Sequence, residues 1–387
     1  GAYNNQEGLA LSDEEVEYLN NLSLRIKRKL TDSEIFGFSQ VNSEHCRHKI
    51  FNGTFEINGE KKPSSLFGLI RKTSKESPNG IISAYEDNVA FLKGPRIQQF
   101  APKTADKPDF YQVSEFESVI SLKAETHNFP TTVEPFNGAG TGSGGEIRDR
   151  LAGGQGSLPL AGTAVYMTPY SRLEENRVWE TGMVERKWLI TGSVLTFEHE
   201  EDGRKLGFDK AVMLAGGIGY GKKSQAKKLK PEVGDQVVIL GGDNYRIGMG
   251  GAAVSSANTG AVRSAIELNA IQRSNPEMQK RVANAIRGLV ESESNPIISI
   301  HDHGAGGHIN CLSELVESSG GNIDLDKLPV GDPTLSAKEI IGNESQERMG
   351  IVISKNGIEI LQRIADRERT PMYCVGEVTD DQRFKFE

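Results

Sequence analysis

Cysteine is scarce in this chain: three in 387 residues (Cys46, Cys311 and Cys374), far apart and odd in number. That excludes a disulfide-stapled scaffold and makes a reducing, cytoplasmic compartment the simple reading. Long apolar runs are also missing, so no segment reads as a membrane span. The opening GAYNNQEGLA lacks the charged-then-apolar order of a secretory signal. Blocks of basic residues are absent too. Lys and Arg number 45 against 53 Asp and Glu, a net charge of −8. Phosphate-backbone affinity needs clustered cations, so neither a nucleic-acid partner nor a membrane partner is expected. No internal repeat or low-complexity segment is present.

What is there is length, glycine and clustered histidine. At roughly 100–200 residues per domain the chain holds about two or three domains. Glycine accounts for 43 residues, above the usual share of about 7%. Of the seven histidines, all but His199 fall in three short stretches.

The first ten residues read as frayed. Ser12-Asp13-Glu14-Glu15 and Thr31-Asp32-Ser33-Glu34 each have the form of a capping box opening a helix. The second helix is expected to run to about His48. Residues 1–50 therefore read as a helical linker domain. From Phe51 the texture becomes strands and turns. Ile81–Tyr85 and Val89–Leu92 form a hairpin, and Val119–Glu125, Lys187–His199 and Lys210–Leu214 form further strands. A basic linker, Lys222–Lys230, separates this unit, residues 51–229, from a third, residues 230–387. There strands and helices alternate: strands at Val237–Leu240, Ile297–Ile300, Ile351–Ser354 and Met372–Val378, a helix opened by Asn275-Pro276, another from about Ile309, and a last helix at Gly357–Arg367. The fold class is α+β: a helical linker followed by two α/β domains.

Five stretches carry chemistry. In Ser121–Pro130, strand alternation puts Ile120, Leu122 and Ala124 toward a core and Lys123 and Glu125 on the other face, with His127 near them. An ammonium, a carboxylate and an imidazole so aligned suit a metal-bridged phosphate. The same pattern fits an exposed polar face with an ion pair. Gly138–Asp149 formally contains G-x-G-x-x-G. No apolar strand leads into it and no acid follows about 20 residues on, so it is neither a dinucleotide fingerprint nor a Walker loop. It reads as a loop whose backbone N–H groups wrap an anion, or as a merely flexible loop. In Ser43–His48, a helix would put His45 and His48 on one face, with zinc a weak alternative to a structural pair. In Ser299–His308, Asp302 sits at a strand tip before glycines and a helix, a common ligand-binding place. Asn343–Met349 is dense in hydrogen-bonding groups and by itself reads as a polar loop. The turns Gly304–Gly307 and Gly248–Gly251 are further places where backbone could approach phosphate.

Taken in order, FSQVNSEHCRHKIFN (Phe38–Asn52), KAETHNFPT (Lys123–Thr131), GAGTGSGGEIRD (Gly138–Asp149), IQRSNPEMQ (Ile271–Gln279), HDHGAGG (His301–Gly307) and NESQERM (Asn343–Met349) resemble one family. It is the large form of phosphoribosylformylglycinamidine synthase, or formylglycinamide ribonucleotide amidotransferase, of the aminoimidazole ribonucleotide synthetase-like superfamily. The resemblance covers residues 11–387. It implies a synthetase-like N-terminal domain and C-terminal domain after the linker. It also implies a reaction of purine biosynthesis: ATP phosphorylates the amide oxygen of formylglycinamide ribonucleotide, and glutamine-derived ammonia displaces phosphate.

Carried over residue by residue, the resemblance implies His127 as proton acceptor and His45 as a second active-site histidine. For ATP it implies Lys123, Gly138, Gly140, Thr141, Gly142, Ser143, Gly144, Gly145, Arg148 and Asp149. For the ribonucleotide it implies Thr126, His127, Asn128, Arg148, Gln272, Glu344, Ser345 and Gln346. Glu125, Asp149 and Asp302 are implied for Mg²⁺. Only the linker and the first of two synthetase halves are matched, and neither Cys311 nor Cys374 lies in a glutaminase nucleophile turn. The expected partners are thus a second synthetase half and a glutaminase domain, or another copy of this chain mimicking the missing half. Two other readings compete: a structural or allosteric nucleotide-binding module of the same enzyme, and another ATP-dependent member of the superfamily, such as a selenophosphate synthetase or thiamine-phosphate kinase. The latter lack the Ser-Glu-His-Cys-Arg-His stretch.

Overall fold

The computed structural model describes residues 2–169, 192–208, 210–257, 260, 262–345 and 347–387. The linker begins with a short helix rather than a frayed end: α1 is Ala2–Glu7, and Leu9 after it is 2% exposed. Helices α2 (Asp13–Ile26) and α3 (Asp32–Val41) start at the two capping boxes, both formed reciprocally. The expected continuation of α3 to His48 does not occur. The chain breaks through a 3₁₀ turn, His45–Arg47, into α4 (His48–Asn52). Cys46 and Arg47 both have left-handed φ, 59° and 57°, which no helix accommodates. His45 and His48 therefore do not share a helix face. Helix α3 packs on the C-terminal part of the chain through Phe36, which fills the space a side chain at Gly342 would need.

A small hairpin, β1 (Glu56–Ile57) and β2 (Glu60–Lys61), and α5 (Leu66–Glu76) lead into a six-stranded sheet. Its strands are β3 (Ile81–Ser83), β4 (Ala90–Pro102), β5 (Tyr111–Thr126), β6 (Leu158–Thr168), β7 (Gly192–Thr196) and β10 (Val212–Lys222). The spatial order is β3-β4-β5-β10-β6-β7, antiparallel except for the last pair. Strands β8 (Glu198–Glu201) and β9 (Arg204–Gly207) form a separate hairpin. The expected hairpin around Asp87 is present. The expected strand Lys187–His199 lies partly outside the described residues. Between β5 and β6 run α6 (Asn128–Val133) and α7 (Pro135–Leu151).

The expected orientation of β5 is reversed. Val119 and Ser121 are fully buried, and the face they share with Lys123 and Glu125 is the one α7 covers. Ile120 and Leu122 are only half-buried and Ala124 is exposed. Leu122 pairs across the ladder with Ile218, itself 45% exposed. Hydrophobic alternation points to this second face, but the helix docks on the first.

The second sheet follows from β11 (Gln236–Leu240), the helices α8 (Gly251–Val254), α9 (Ser264–Asn269) and α10 (Pro276–Glu291), and β12 (Ile297–Asp302). It continues through α11 (Gly307–Leu315), β13 (Gly321–Ile323), α12 (Ala337–Ile341), β14 (Met349–Ile353), α13 (Ile358–Glu368), β15 (Met372–Val378) and β16 (Phe384–Phe386). The strand order is β12-β14-β11-β15-β13-β16. Val238 and Leu240 of β11 point to α10 and α13, and Val237 and Ile239 point to α11. That is the period-two alternation of a strand buried on both faces. Asn275 caps α10 by accepting from the Met278 N–H at 3.1 Å, as its sequence suggests. The first core cluster also takes in Leu151, Ala152 and Leu158, so the C-terminal end of α7 is shared between the two sheets' cores.

Candidate active site at the meeting of two sheets

The end of β5, the last turns of α7 and the tip of β12 converge. Their charged side chains meet because burial on this side is nearly complete and each charge has a partner. Lys123 Nζ lies 2.5 Å from Asp149 Oδ2 and 3.7 Å from Glu125 Oε2. Asn88 Nδ2 donates to Asp149 Oδ1 and to Asp302 Oδ1, both at 3.0 Å, and so ties a carboxylate of one sheet unit to a carboxylate of the other. Arg148 is buried and donates from Nη1 to Gln279 Oε1 of α10 at 2.6 Å. On the far side of Asp302, the His301 ring reaches Asp302 Oδ1 at 3.3 Å and Glu314 Oε2 at 2.5 Å.

The electrostatics follow from this crowding. Burial works against the Lys123 charge, but Asp149 and Glu125 more than offset it and hold its pKa above the ordinary lysine value. Burial and the neighbouring Asp302 carboxylate push Asp149 well up, and burial raises Glu125. Burial would raise Asp302 as well, but the His301 imidazolium holds it below the carboxylate range. Burial and then the Arg148 guanidinium push His127 down to about 4, so its imidazole is neutral near pH 7.

Three mutually close carboxylates with raised or contested charge are a donor set that fits a divalent cation of the oxygen-loving kind. Among the described residues no group of three such ligands already stands at coordinating distance. The Lys123 ammonium and the Asn88 amide hold the carboxylates' spacing instead.

The glycine run is the main correction. Gly138, Gly140, Thr141, Gly142, Ser143, Gly144 and Gly145 are not a loop wrapping an anion; they are the interior of α7. Their amides beyond the first turn belong to the helix ladder, which leaves none of those to grip phosphate. The glycines serve close approach. A Cβ at Gly142 would lie 2.6 Å from the His127 Cβ, and one at Gly145 would lie 2.6 Å from Glu125 Oε1. Gly138 lets the helix touch the Pro130 backbone, at 2.3 Å from such a Cβ. A cavity of about 1350 Å³ opens along another side of α7, lined by Phe136, Gly140, Ser143, Leu160, Tyr166 and Lys280 among others. Glu125, Asp149 and Asp302 do not line it.

The other glycine turns also serve an end different from phosphate. Gly306 N–H donates to Glu344 Oε1 at 2.8 Å and Ala252 N–H to the same oxygen at 3.0 Å. The anion these turns wrap is a carboxylate of the chain itself. Gly307, at φ 61°, has no room for a side chain, because a Cβ would meet the Asn343 backbone at 2.3 Å.

Of the residues expected to hold the ribonucleotide, Thr126 is exposed and ends β5. Asn128 Oδ1 accepts from Met213 N–H at 2.9 Å, a contact that fixes the turn. Gln272, Glu344 and Ser345 are 4%, 0% and 1% exposed, and Ser345 donates to Asn343 Oδ1 at 2.6 Å. These three are packed beneath the cleft. Gln346 lies outside the described residues. His45 pairs with Ser255 Oγ at 3.2 Å on the linker turn. The charges of Lys123, Glu125 and Asp149 act on the adjoining Cys46 thiol, so this turn lies over the carboxylates. Sequence reasoning missed Asn88 and Gln279. Asn88 sat in an expected hairpin turn, where asparagine is ordinary. Gln279 sat on a helix with no marker apart from its place in a motif.

Residues 232–387 match the family model for the C-terminal domain of AIR synthase related protein, and residues 1–49 match that for the linker domain of formylglycinamide ribonucleotide amidotransferase. Among solved structures, the chain is similar to Thermotoga maritima PurL complexed with FGAR, with 25% identity and a TM-score of 0.65, over 96% of this chain and 53% of that one. It is also similar in fold to PurL of that organism complexed with ATP (22% identity, TM-score 0.61) and to its PurLQS structure (23%, 0.61), each over 96% of this chain and 52% of the other. The chain spans about half the length of these solved relatives. Fold and site together define an aminoimidazole ribonucleotide synthetase-like protein. With its amidotransferase linker domain, it is more particularly a PurL-like synthetase chain, as the motifs implied.

Proposed function

We propose that this chain supplies the linker and one synthetase half for the ATP-dependent conversion of formylglycinamide ribonucleotide to formylglycinamidine ribonucleotide in purine biosynthesis. The observation that carries the reading is the convergence of Lys123, Glu125, His127, Arg148, Asp149 and Asp302 from both sheet units, with Asn88 bridging two of the carboxylates. Lys123 and Arg148 give the cleft positive charge for phosphate oxygens. Glu125, Asp149 and Asp302 would hold Mg²⁺, which when bound neutralises charge on a transferring phosphoryl group. Lys123, paired with Asp149, would turn its ammonium to nucleotide phosphate once that carboxylate is engaged elsewhere.

His127 is neutral near pH 7 and able to take the proton released when ammonia adds to the activated amide carbon. His45, on the turn above, is the second histidine of the site. The ammonia donor is glutamine, through a glutaminase domain, and the partners are that domain and a second synthetase half. The cysteines, free among the described residues, fit a cytoplasmic enzyme. Isothermal titration with Mg-ATP and formylglycinamide ribonucleotide tests the reading. Binding of both, with each tightening the other, is expected. Tight nucleotide binding with no response to the ribonucleotide would favour a purely structural nucleotide module.

A further inference from the structure

The Glu344 side chain is fully enclosed, and its charge has one feature that the packing around it does not use up. Oε1 is taken by the N–H groups of Gly306 and Ala252. Oε2 accepts from Gln272 Nε2. An ionised carboxylate only accepts, so it fixes which end of the Gln272 amide faces it: the NH₂. The carbonyl oxygen of Gln272 is therefore turned away. It is buried without a partner, and so is His127 Nε2. The Gln272 side chain lies within reach of the imidazole, favouring a proton there. Of the two ring nitrogens of His127, Nε2 is the one that is both buried and unpartnered. Gly142, with no Cβ, leaves the space in which the ring sits.

From this juxtaposition we propose that Glu344 and Gln272 are positioning residues that set the tautomer of His127. The carboxylate orients the amide, the amide oxygen accepts from His127 Nε2–H, and the Nδ1 lone pair is left toward the cleft. The arrangement is a carboxylate–amide–imidazole relay of orientation in which no proton moves. It gives Gln272 and Glu344 a task other than direct substrate contact. It rests on the proposed function only in taking His127 as the proton acceptor.

Glu344→Gln discriminates. The new side chain keeps an oxygen for Gly306 and Ala252 but presents an NH₂ to Gln272. The Gln272 amide must then turn over and offer its own NH₂ to His127, which moves the ring proton to Nδ1. Long-range ¹H–¹⁵N correlation of the ¹⁵N-labelled chain at pH 8.5 reads this directly, with His127 assigned by the signal lost in His127→Asn. The expected result is Nε2–H in wild type and Nδ1–H in Glu344→Gln. In Gln272→Leu, which removes the acceptor, a mixture of tautomers is expected. An Nδ1–H tautomer in wild type, or an unchanged tautomer in folded Glu344→Gln, would overturn the proposal. If Glu344→Gln does not fold, an unchanged tautomer in Gln272→Leu would do so. In the complete enzyme, Glu344→Gln should lower kcat by about 10²-fold with KM nearly unchanged. The expected tautomers in a chain that binds neither nucleotide nor ribonucleotide would sink the proposed function and leave this inference standing.

Discussion

His127 is held by three neighbours with different duties: Gly142 makes room for it, Arg148 keeps it neutral, and Gln272 faces it. Replacing it with alanine in the complete enzyme should cost about 10²–10⁴-fold in turnover, the usual worth of a positioned proton acceptor. Near-normal turnover would remove it from the chemistry. Glu344 supplies a thermodynamic check. Burial raises its pKa to about 7. The folded state therefore binds a proton more tightly than the unfolded chain, whose carboxyl titrates near 4.5. Stability from this group is full below pH 4.5 and falls as pH rises through 7, by about 3 kcal/mol in all. Urea unfolding of wild type and Glu344→Gln at pH 5 and pH 8 should show wild type losing ground to the variant at the higher pH. A difference independent of pH would mean that Glu344 titrates normally.

At the level of elements, helix starts were readable and helix interiors were not. The capping boxes at Ser12 and Thr31 and the Asn275-Pro276 start are local signals satisfied by local bonds, and all three formed. Strands β11 and β15 were readable because both faces are buried and short apolar runs mark them. The glycine run misled because intrinsic preference disfavours glycine in a helix by about 1 kcal/mol per residue, whereas tertiary packing here demands its absence of bulk. The facing of β5 misled for a related reason: apolar alternation records which side could be buried, and only the docked helix decides which side is. Asn88 had no signal because its partners, Asp149 and Asp302, lie 61 and 214 residues away. A test at this scale is Gly142→Ala. In an open helix that change stabilises by about 1 kcal/mol. Here the added Cβ falls 2.6 Å from the His127 Cβ, and overpacking of about 1–3 kcal/mol should win. Thermal unfolding decides it; a raised Tm would mean that the helix sits looser on His127 than described.

For the whole molecule, the site belongs to neither sheet alone. Asp302 comes from the second unit, Asp149 and Lys123 from the first, and the linker turn closes over them. Ligand binding should therefore report on all three parts. Mg-ATP at about 100 times its Kd should stabilise the chain by about 2.7 kcal/mol, and Asp302→Asn should abolish most of that shift without unfolding the protein. An unchanged shift would remove Asp302 from the metal site. The helix α7 carries a consequence for assembly order. Its sequence, PFNGAGTGSGGEIRDRL, holds five glycines, which costs it about 5 kcal/mol of helix propensity. Cut out as a peptide it should be coil by circular dichroism. In the folding chain it can become helical only when β5 and α10 are already there to receive it. The residues it delivers, Arg148 and Asp149, then reach their places in the same late step, so the cleft acquires its charges as the last part of the fold locks.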